Sequence, residues 1–239
     1  MNTTKYLLTV TFSAPEAGGM AGFNAAVAAA FPDRRHLHTV SNPRYATAGV
    51  PYLGQALEPL QGMDLLVQPC LISPGGEWER VKALVGPNLP LGLPLLTQEA
   101  DCLSCARAML PTLPDTAVVF MAHGSKQAGV WDFSPLMEQA FADLGRSDVY
   151  FANLEGENGL DRLLPRLKHE NLQLRPFLFC PRLHRQRDLE QLWVPALEQS
   201  GHTVDCSAPG LCAYPGLQQL YIGHAQQAAS TWKSRITML

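Results

Sequence analysis

Short apolar runs alternate along the chain with segments in which apolar residues recur at helical spacing. Several runs are apolar throughout, as expected for strands that are buried on both faces of a parallel sheet. The predicted strands are Lys5–Phe12, Arg35–Val40, Asp64–Ile72, Leu91–Leu96, Ala117–Met121, Asp148–Asn153, Leu172–Cys180 and Thr203–Ser207. The predicted helices are Met20–Phe31, Tyr52–Leu60, Glu77–Leu84, Gln98–Leu110, Ser134–Leu144, Leu160–His169, Gln186–Glu198 and Gly216–Ile236. This alternation predicts an α/β fold with parallel sheets and helices on both faces.

The predicted strands divide into two sets of four, separated by the proline-bounded segment 111–114. A short internal sequence repeat supports a duplication, because segments 67–74 and 174–181 each carry two prolines five residues apart. Continuing this register places Glu77 opposite His184. The repetition predicts two similar lobes that face each other across a cleft. We expect the lobes to span residues 1–112 and 113–239, with the last helix able to pack back on the first lobe.

Composition narrows the function classes. The chain has 239 residues, 46% of them hydrophobic, and a formal charge of −3, so nothing favours nucleic acid as a partner. No apolar run reaches the 18 residues typical of a membrane span. The first residues lack the features of a signal peptide, which predicts a cytoplasmic location and cysteines that remain thiols. Cys102 and Cys105 have redox or metal spacing but lie in a predicted helix without a second pair, so we interpret them as buried or incidental.

Polar residues follow three predicted strands of the second lobe. His123 and Glu155 each stand between a strand and a glycine, and His184 follows the next strand after a short loop. Ligands bind at the carboxyl ends of strands in open parallel sheets, so these side chains can converge although they are far apart in sequence. Two imidazoles and one carboxylate suit cobalt, nickel, iron or zinc and leave coordination positions open for an incoming ligand. A histidine that is not holding metal can also act as a base.

Each of these residues also has a purely structural interpretation. His123 could cap a strand end, Glu155 could cap a helix with Glu157 as its competitor, and His184 could begin a solvated, charged helix. Glu77 could face the cleft with Trp78 beside it as a flat apolar surface, or it could simply supply acidic charge to a first helical turn. The residues alone leave these alternatives open.

Four segments are similar to those of a known family. Residues 67–79 (Val-Gln-Pro-Cys-Leu-Ile-Ser-Pro-Gly-Gly-Glu-Trp-Glu) resemble Val-Gln-Pro-Leu-His-Ile-x-Pro-Gly-x-Glu-Tyr-Glu, and 91–96 resemble Leu-Gly-x-Pro-Leu-Leu. Residues 121–125 (Met-Ala-His-Gly-Ser) resemble Met-Gly-His-Gly-Thr, and 154–156 resemble Val-Glu-Gly. The family is that of the anaerobic, class II cobalt chelatases, which insert cobalt into sirohydrochlorin, and the likeness runs over nearly the whole chain. It implies two flavodoxin-like lobes, each a four-stranded parallel sheet flanked by helices, with the tetrapyrrole between them.

The resemblance also implies roles for particular residues. It assigns metal binding to His123, Glu155 and His184, and makes His123 the proton acceptor. Glu77 would face the tetrapyrrole, orienting it or receiving a second proton. The other predicted substrate-binding residues are Trp78, Ser13, Arg182 and Arg185.

The chain departs from the family pattern around these positions. Leu71 and Gln127 stand where the family has histidines, Arg182-Leu183 replaces Gly-Asp, and Cys212-Ala213 replaces Gly-Glu in a late loop. The additional arginines, Arg182, Arg185 and Arg187, could bind the carboxylates of sirohydrochlorin, because a guanidinium pairs with a carboxylate through two hydrogen bonds.

Together these features predict a lyase of the sirohydrochlorin cobaltochelatase type in anaerobic cobalamin biosynthesis. Its divalent metal, Co²⁺ before Fe²⁺ or Ni²⁺, is a substrate, and the chain lacks nucleotide-binding fingerprints. We expect a homo-oligomer with a tetrapyrrole as its partner molecule. One alternative is a related chelatase or dechelatase for iron and sirohaem, nickel or haem. Another is a tetrapyrrole or metal carrier without catalysis.

Overall fold

The structure is a computed structural model of the chain, and it describes residues 4–15, 19–127, 129–181 and 184–237. The strands are β1 Lys5–Thr11, β2 Arg35–Val40, β3 Asp64–Pro69, β4 Ala117–Gly124, β5 Val149–Glu155, β6 Asn171–Pro176 and β7 Thr203–Asp205. They form two sheets with the strand orders β2-β1-β3 and β5-β4-β6-β7, and every strand pair is parallel. The predicted α/β fold with two parallel sheets is therefore confirmed.

The helices lie between the strands, as the periodicity predicts. They are α1 Ala21–Ala30, α2 Leu53–Leu57, α3 Gly76–Val85, α4 Glu99–Met109, α5 Ser134–Asp143, α6 Leu160–Leu163, α7 Val194–Gln199 and α8 Pro215–Thr237. A π-helical stretch, Arg185–Trp193, precedes α7. Within the ranges described, no helix combines the length and the apolar character needed to cross a bilayer.

The predicted fourth strand of the first sheet, Leu91–Leu96, is wrong. Among the described residues this sheet has three strands, and the backbone of the segment pairs with β3 at a bridge between Leu91 and Val67. Farther along, Leu95 N donates to Leu71 O at 3.0 Å. The ladder between these points is broken because Pro94 has no N–H. The side chain of Gln68 takes its place, with Nε2 donating to the carbonyls of Pro69 (2.8 Å) and Leu93 (2.9 Å).

The chain divides into two compact units, Met1–Thr97 with Gln218–Leu239, and Gln98–Leu217. Helix α4 belongs to the second unit, where it packs against α5. Most of α8 belongs to the first unit. There the buried Tyr221 donates its hydroxyl to Leu71 O at 3.0 Å and meets the Phe23 ring edge-on at 6.2 Å.

Packing of the second sheet fixes the positions at which its strands end. A cluster of Phe120, Phe141, Phe151 and Phe177 fills one face, with the rings of Phe120 and Phe151 stacked at 4.8 Å. Strand β4 is buried from Ala117 to Ala122, and His123 is the first exposed residue. Burial of the strand thus anchors the backbone from which this histidine projects.

Two half-buried histidines lie on the edge strand β2 of the first unit. Thr11 Oγ1 donates its one proton to Ser13 O at 2.8 Å, so it accepts a hydrogen bond from His38 Nε2, also at 2.8 Å. Burial, with a smaller contribution from His36, lowers the pKa of His38 to about 4, and burial lowers the pKa of His36 as well. Both rings are therefore neutral in the folded protein near pH 7.

We expect acid to destabilise the first unit through His38. The unfolded chain takes up this proton near pH 6.5 and the folded chain only near pH 4, so stability is lost as the pH falls between these values. The loss from pH 7 to pH 5 should be about 2 kcal/mol for this residue. Urea unfolding of wild type and His38→Gln, which keeps an N–H donor for Thr11, measures it. If the free energy of unfolding depended on pH equally in wild type and His38→Gln, the assignment of this effect to His38 would be contradicted.

Candidate functional site

The three predicted metal-binding residues stand at one edge of the second sheet. His123 lies at the end of β4, Glu155 is the last residue of β5, and Gly124 is paired with Glu155 in the parallel register. Strand β6 flanks β4 on its other side, and the chain beyond it leads to His184. Because the strands are parallel, all three residues follow carboxyl ends that meet at the same edge.

Gly124 allows β4 and β5 to approach closely at this edge. Its φ is +68°, a left-handed conformation that side chains other than glycine rarely adopt. A Cβ atom at this position would meet the carbonyl oxygen of Glu155 and would lie 2.6 Å from Asn153 Cβ. The glycine after the histidine is therefore required by both conformation and space.

His123 is held by its Nδ1 atom, which lies 3.1 Å from the carbonyl oxygen of Gly124. A carbonyl can only accept, so Nδ1 carries the hydrogen of the neutral ring. The lone pair consequently lies on Nε2, the farther ring atom. A backbone carbonyl that fixes the tautomer in this way is a common second partner of metal-binding histidines.

His184 shows the same arrangement with a carboxylate as the partner. Its Nδ1 lies 2.6 Å from Asp188 Oδ2, one helical turn along the chain, which again leaves the lone pair of the neutral ring on Nε2. The rings of His123 and His184 meet edge to face, with centroids 5.2 Å apart. The structure thus brings together two imidazoles that are 61 residues apart in sequence, and each has the tautomer that suits metal binding.

Glu155 lies close by but its carboxylate is engaged elsewhere, with Oε1 3.8 Å from Lys126 Nζ. Among the described residues, no three histidine, cysteine, aspartate or glutamate side chains are close enough to one another to hold a metal ion. Glu157, the competing carboxylate, is 91% exposed and lies 3.8 Å from Arg162. Position at the strand end therefore favours Glu155 over Glu157, and Glu155 would have to leave Lys126 to act as a third ligand.

Asp188 is the residue whose part in the site only the structure makes clear. Burial would raise its pKa, but hydrogen bonds from Arg187 and His184 outweigh that effect and hold the pKa below its ordinary value. Arg187 contacts both carboxylate oxygens at 2.9 Å. Asp188 is therefore an ionised acceptor that orients His184. The spacing of four residues between them was the available signal, since residues at i and i+4 face each other on a helix.

Asp188→Asn should weaken metal binding without unfolding the protein. The amide accepts a weaker hydrogen bond from His184 and loses the ion pair with Arg187, so we expect Co²⁺ affinity to fall about 10- to 100-fold. Calorimetric titration of the reduced protein with Co²⁺ measures this. The matched control is Asp143→Asn, because Asp143 also accepts from a side chain four residues away, Gln139, but at the opposite edge of the sheet. Equal affinities of the two variants would contradict the role of Asp188.

Glu77 lies in the first turn of α3, in the other unit. Its Oε2 accepts from Ser41 Oγ at 2.8 Å, and its Oε1 lies 3.2 Å from Arg80. Trp78 packs partly against the core of the first unit, with Lys82 Nζ 5.8 Å from the centre of its ring. Ser13, the remaining predicted residue of this unit, follows β1 and is half-buried. Ser41, which orients Glu77, is a partner that sequence reasoning missed.

The arginines predicted to bind substrate carboxylates are engaged by other groups where the structure describes them. Arg185 donates to the carbonyl oxygens of Cys206 (3.0 Å) and Ala208, so in this structure its guanidinium braces the loop after β7. Arg187 is engaged by Asp188, as described above. Arg182 lies outside the described residues. Binding of substrate carboxylates by Arg182 and Arg185 stays a prediction.

Comparison with known proteins relates this chain to chelatases. A family model described as cobalt chelatase (CbiK) matches residues 48–230. The chain is 29% identical over 154 residues to the sirohydrochlorin cobaltochelatase CbiKC of Nitratidesulfovibrio vulgaris strain Hildenborough. That match covers 59% of this chain and 53% of the relative, so the chain spans about half the length of the curated relative it matches.

Solved structures of chelatases share the fold. SirB from Bacillus subtilis with Fe³⁺ superposes with a TM-score of 0.63 at 13% identity, covering 97% of this chain and 98% of the other. CbiX, described as the terminal enzyme of sirohaem biosynthesis in denitrifying bacteria, superposes with a TM-score of 0.58 at 16% identity, covering 94% and 99%. At these identities the likeness establishes the chelatase-like fold.

Proposed function

Since the chain belongs to the cobalt chelatase (CbiK) family, we propose that it inserts a divalent metal ion, cobalt in preference to iron or nickel, into sirohydrochlorin. The observation that carries the proposal is the pair His123 and His184. Both rings are held at Nδ1, and both have the Nε2 lone pair that a borderline divalent metal prefers. We further propose that the reaction belongs to anaerobic cobalamin biosynthesis and that the protein is a homo-oligomer.

The incoming metal would be held by His123, His184 and Glu155. Three protein ligands leave other positions for water, which the pyrrole nitrogens then replace as the ion moves into the macrocycle. Glu155 is bound to Lys126 by a single long, exposed contact at 3.8 Å, so exchanging that contact for a metal ion costs little. We assign the third position to Glu155 on this basis.

Insertion of M²⁺ releases two N–H protons from the macrocycle, so the reaction needs acceptors. His123 Nε2 can hold the metal or accept a proton, but its single lone pair cannot do both at once. We therefore assign it the acceptor role after the metal has left for the ring. Glu77, oriented by Ser41, is assigned to contact the tetrapyrrole from the first unit, either orienting it or receiving the second proton.

The test is the absorbance change of sirohydrochlorin on adding Co²⁺, Ni²⁺ or Fe²⁺ separately under anaerobic conditions, with and without the protein. We expect catalytic amounts of protein to accelerate insertion, and to do so most with Co²⁺. Greater acceleration with iron or nickel would keep the chelatase and correct its metal. Stoichiometric binding of tetrapyrrole with no acceleration by any metal would refute the enzyme and identify a carrier.

A further inference from the structure

Two thiols of the second unit lie in direct contact. Cys180 follows β6, and Cys212 lies in a short 3₁₀ turn that precedes α8. Their sulfur atoms are 3.4 Å apart, with Cys180 donating to Cys212, and 32 residues separate them in sequence. Cys212 is buried and Cys180 is partly exposed. Cys212 is also one of the positions where this chain departs from the family pattern, which has glycine there.

The backbone keeps the two segments in register. Cys212 N donates to Phe179 O at 3.0 Å, and Leu211 N donates to Leu178 O at 2.9 Å. Gly210 permits this approach, because a Cβ atom there would lie 2.8 Å from Phe179 O. A disulfide requires the sulfur atoms to be about 2.05 Å apart. Rotation of the side chains together with a small backbone adjustment would cover the difference, so the fold holds the thiols in contact and close to bonding distance.

The other closely spaced cysteines provide a contrast. Cys102 and Cys105 are both buried in α4. Burial raises the pKa of Cys102 to about 11 and raises that of Cys105 further, so neither forms a thiolate readily. In the Cys180–Cys212 pair, the hydrogen bond from Cys180 instead lowers the pKa of Cys212. The pair with the familiar sequence spacing therefore has thiols that ionise less readily than usual, whereas the pair formed by tertiary contact contains a thiol that ionises more readily.

We propose that Cys180 and Cys212 are an oxidation-sensitive pair that closes to a disulfide, with a small disulfide such as oxidised glutathione as the oxidant. The partly exposed Cys180 sulfur attacks one sulfur of the oxidant as its proton passes to Cys212, forming a mixed disulfide and expelling a glutathione thiolate, which takes up that proton from Cys212. The Cys212 thiolate then attacks the Cys180 sulfur and expels the second glutathione. Two protein thiols are oxidised, one disulfide is reduced to two thiols, and the protons pass from the protein to the two glutathione molecules.

The disulfide would also constrain the segment that leads to His184. The carbonyl of Pro181, the residue after Cys180, accepts a hydrogen bond from His184 N at 2.8 Å. Drawing Cys180 towards Cys212 therefore shifts the anchor of His184 relative to His123. Metal sites tolerate shifts of only about 0.5 Å. This consequence, unlike the disulfide itself, rests on the proposed function, and we expect oxidation to weaken Co²⁺ binding at least threefold.

Titration with oxidised glutathione, followed by thiol counting, intact mass and peptide mapping, tests the pair. Wild type should fall from six thiols to four, with the lost mass of two hydrogens mapped to Cys180 and Cys212. C180S and C212S should form no internal disulfide, whereas the control C102S should fall from five thiols to three and form the same disulfide. Retention of all six thiols, or a disulfide that maps to other cysteines, would overturn the proposal.

Calorimetric titration with Co²⁺ tests the effect of the disulfide on metal binding separately from disulfide formation itself. Reduced wild type should bind Co²⁺ more tightly than oxidised wild type, and C180S, which keeps only the buried Cys212 of the pair, should be insensitive to the oxidant. Equal affinities before and after disulfide formation would overturn the coupling to His184. If reduced wild type binds no Co²⁺, the proposed function fails, while the thiol count still decides the disulfide.

Discussion

His123→Ala should reduce the rate of metal insertion at least about 100-fold, because it removes one metal ligand and the proposed proton acceptor together. The side chain is exposed, and its Nδ1 is hydrogen-bonded to the carbonyl of the adjacent Gly124. Truncating it therefore removes little packing. The free energy of unfolding should stay within about 0.5 kcal/mol of wild type.

The insertion rate is measured from the absorbance of sirohydrochlorin with Co²⁺, and the fold is checked by urea unfolding. His224→Ala is the matched control. His224 is a half-buried histidine whose Nδ1, like that of His123, donates to a backbone carbonyl, that of Leu93 at 3.2 Å, but it lies in the first unit. Equal insertion rates for the two variants would show that His123 has no part in the reaction. A loss of Co²⁺ affinity in His123→Ala but not in His224→Ala would assign the effect to metal binding rather than to proton transfer.

Gly124→Ala is expected to be the most destabilising single change at the site. The added methyl group meets the carbonyl oxygen of Glu155 and lies within 2.6 Å of Asn153 Cβ, so the ends of β4 and β5 must separate. The backbone also has a φ of +68°. We expect a loss of about 3 kcal/mol or more in the free energy of unfolding, since both left-handed strain and overpacking contribute. Separation of these strand ends also moves His123 away from Glu155, so metal binding should weaken.

Gly145→Ala isolates the steric part of this effect. Gly145 also has positive φ, +87°, but a Cβ atom there meets nothing within 4 Å. It should cost only the conformational strain, about 1 kcal/mol. Urea unfolding of both variants at pH 7 gives the comparison. A loss no larger for Gly124→Ala than for Gly145→Ala would show that the close approach of the two strands is not a constraint.

Local sequence patterns predicted most of the fold because strands and helices arise from short-range periodicity. The burial of β4 and the exposure of His123 at its end follow from an apolar run that stops at one polar residue. The hydrophobic pattern gave a wrong prediction at Leu91–Leu96, where a run of apolar residues suggested a strand. Prolines interrupt the backbone ladder there, and the Gln68 side chain replaces the missing pairing.

The candidate site was likewise predicted only in part from the sequence. Its residue types and strand-end positions could be read directly from the sequence, and the family likeness singled out His123, Glu155 and His184. The approach of the two histidine rings to 5.2 Å follows from the order β5-β4-β6 in the sheet. Their metal-binding roles stay a prediction until the metal titrations are made.

By itself, the sequence determined the α/β class, the family and the polar residues at the strand ends, because each is encoded by neighbouring residues. Tertiary structure alone decided that Arg185 braces a loop, that Ser41 orients Glu77 and that Cys180 touches Cys212. Those contacts join segments separated by about 20 to 40 residues. Whether such segments meet depends on how helices and strands pack against one another, which no local pattern of hydrophobic and polar residues specifies.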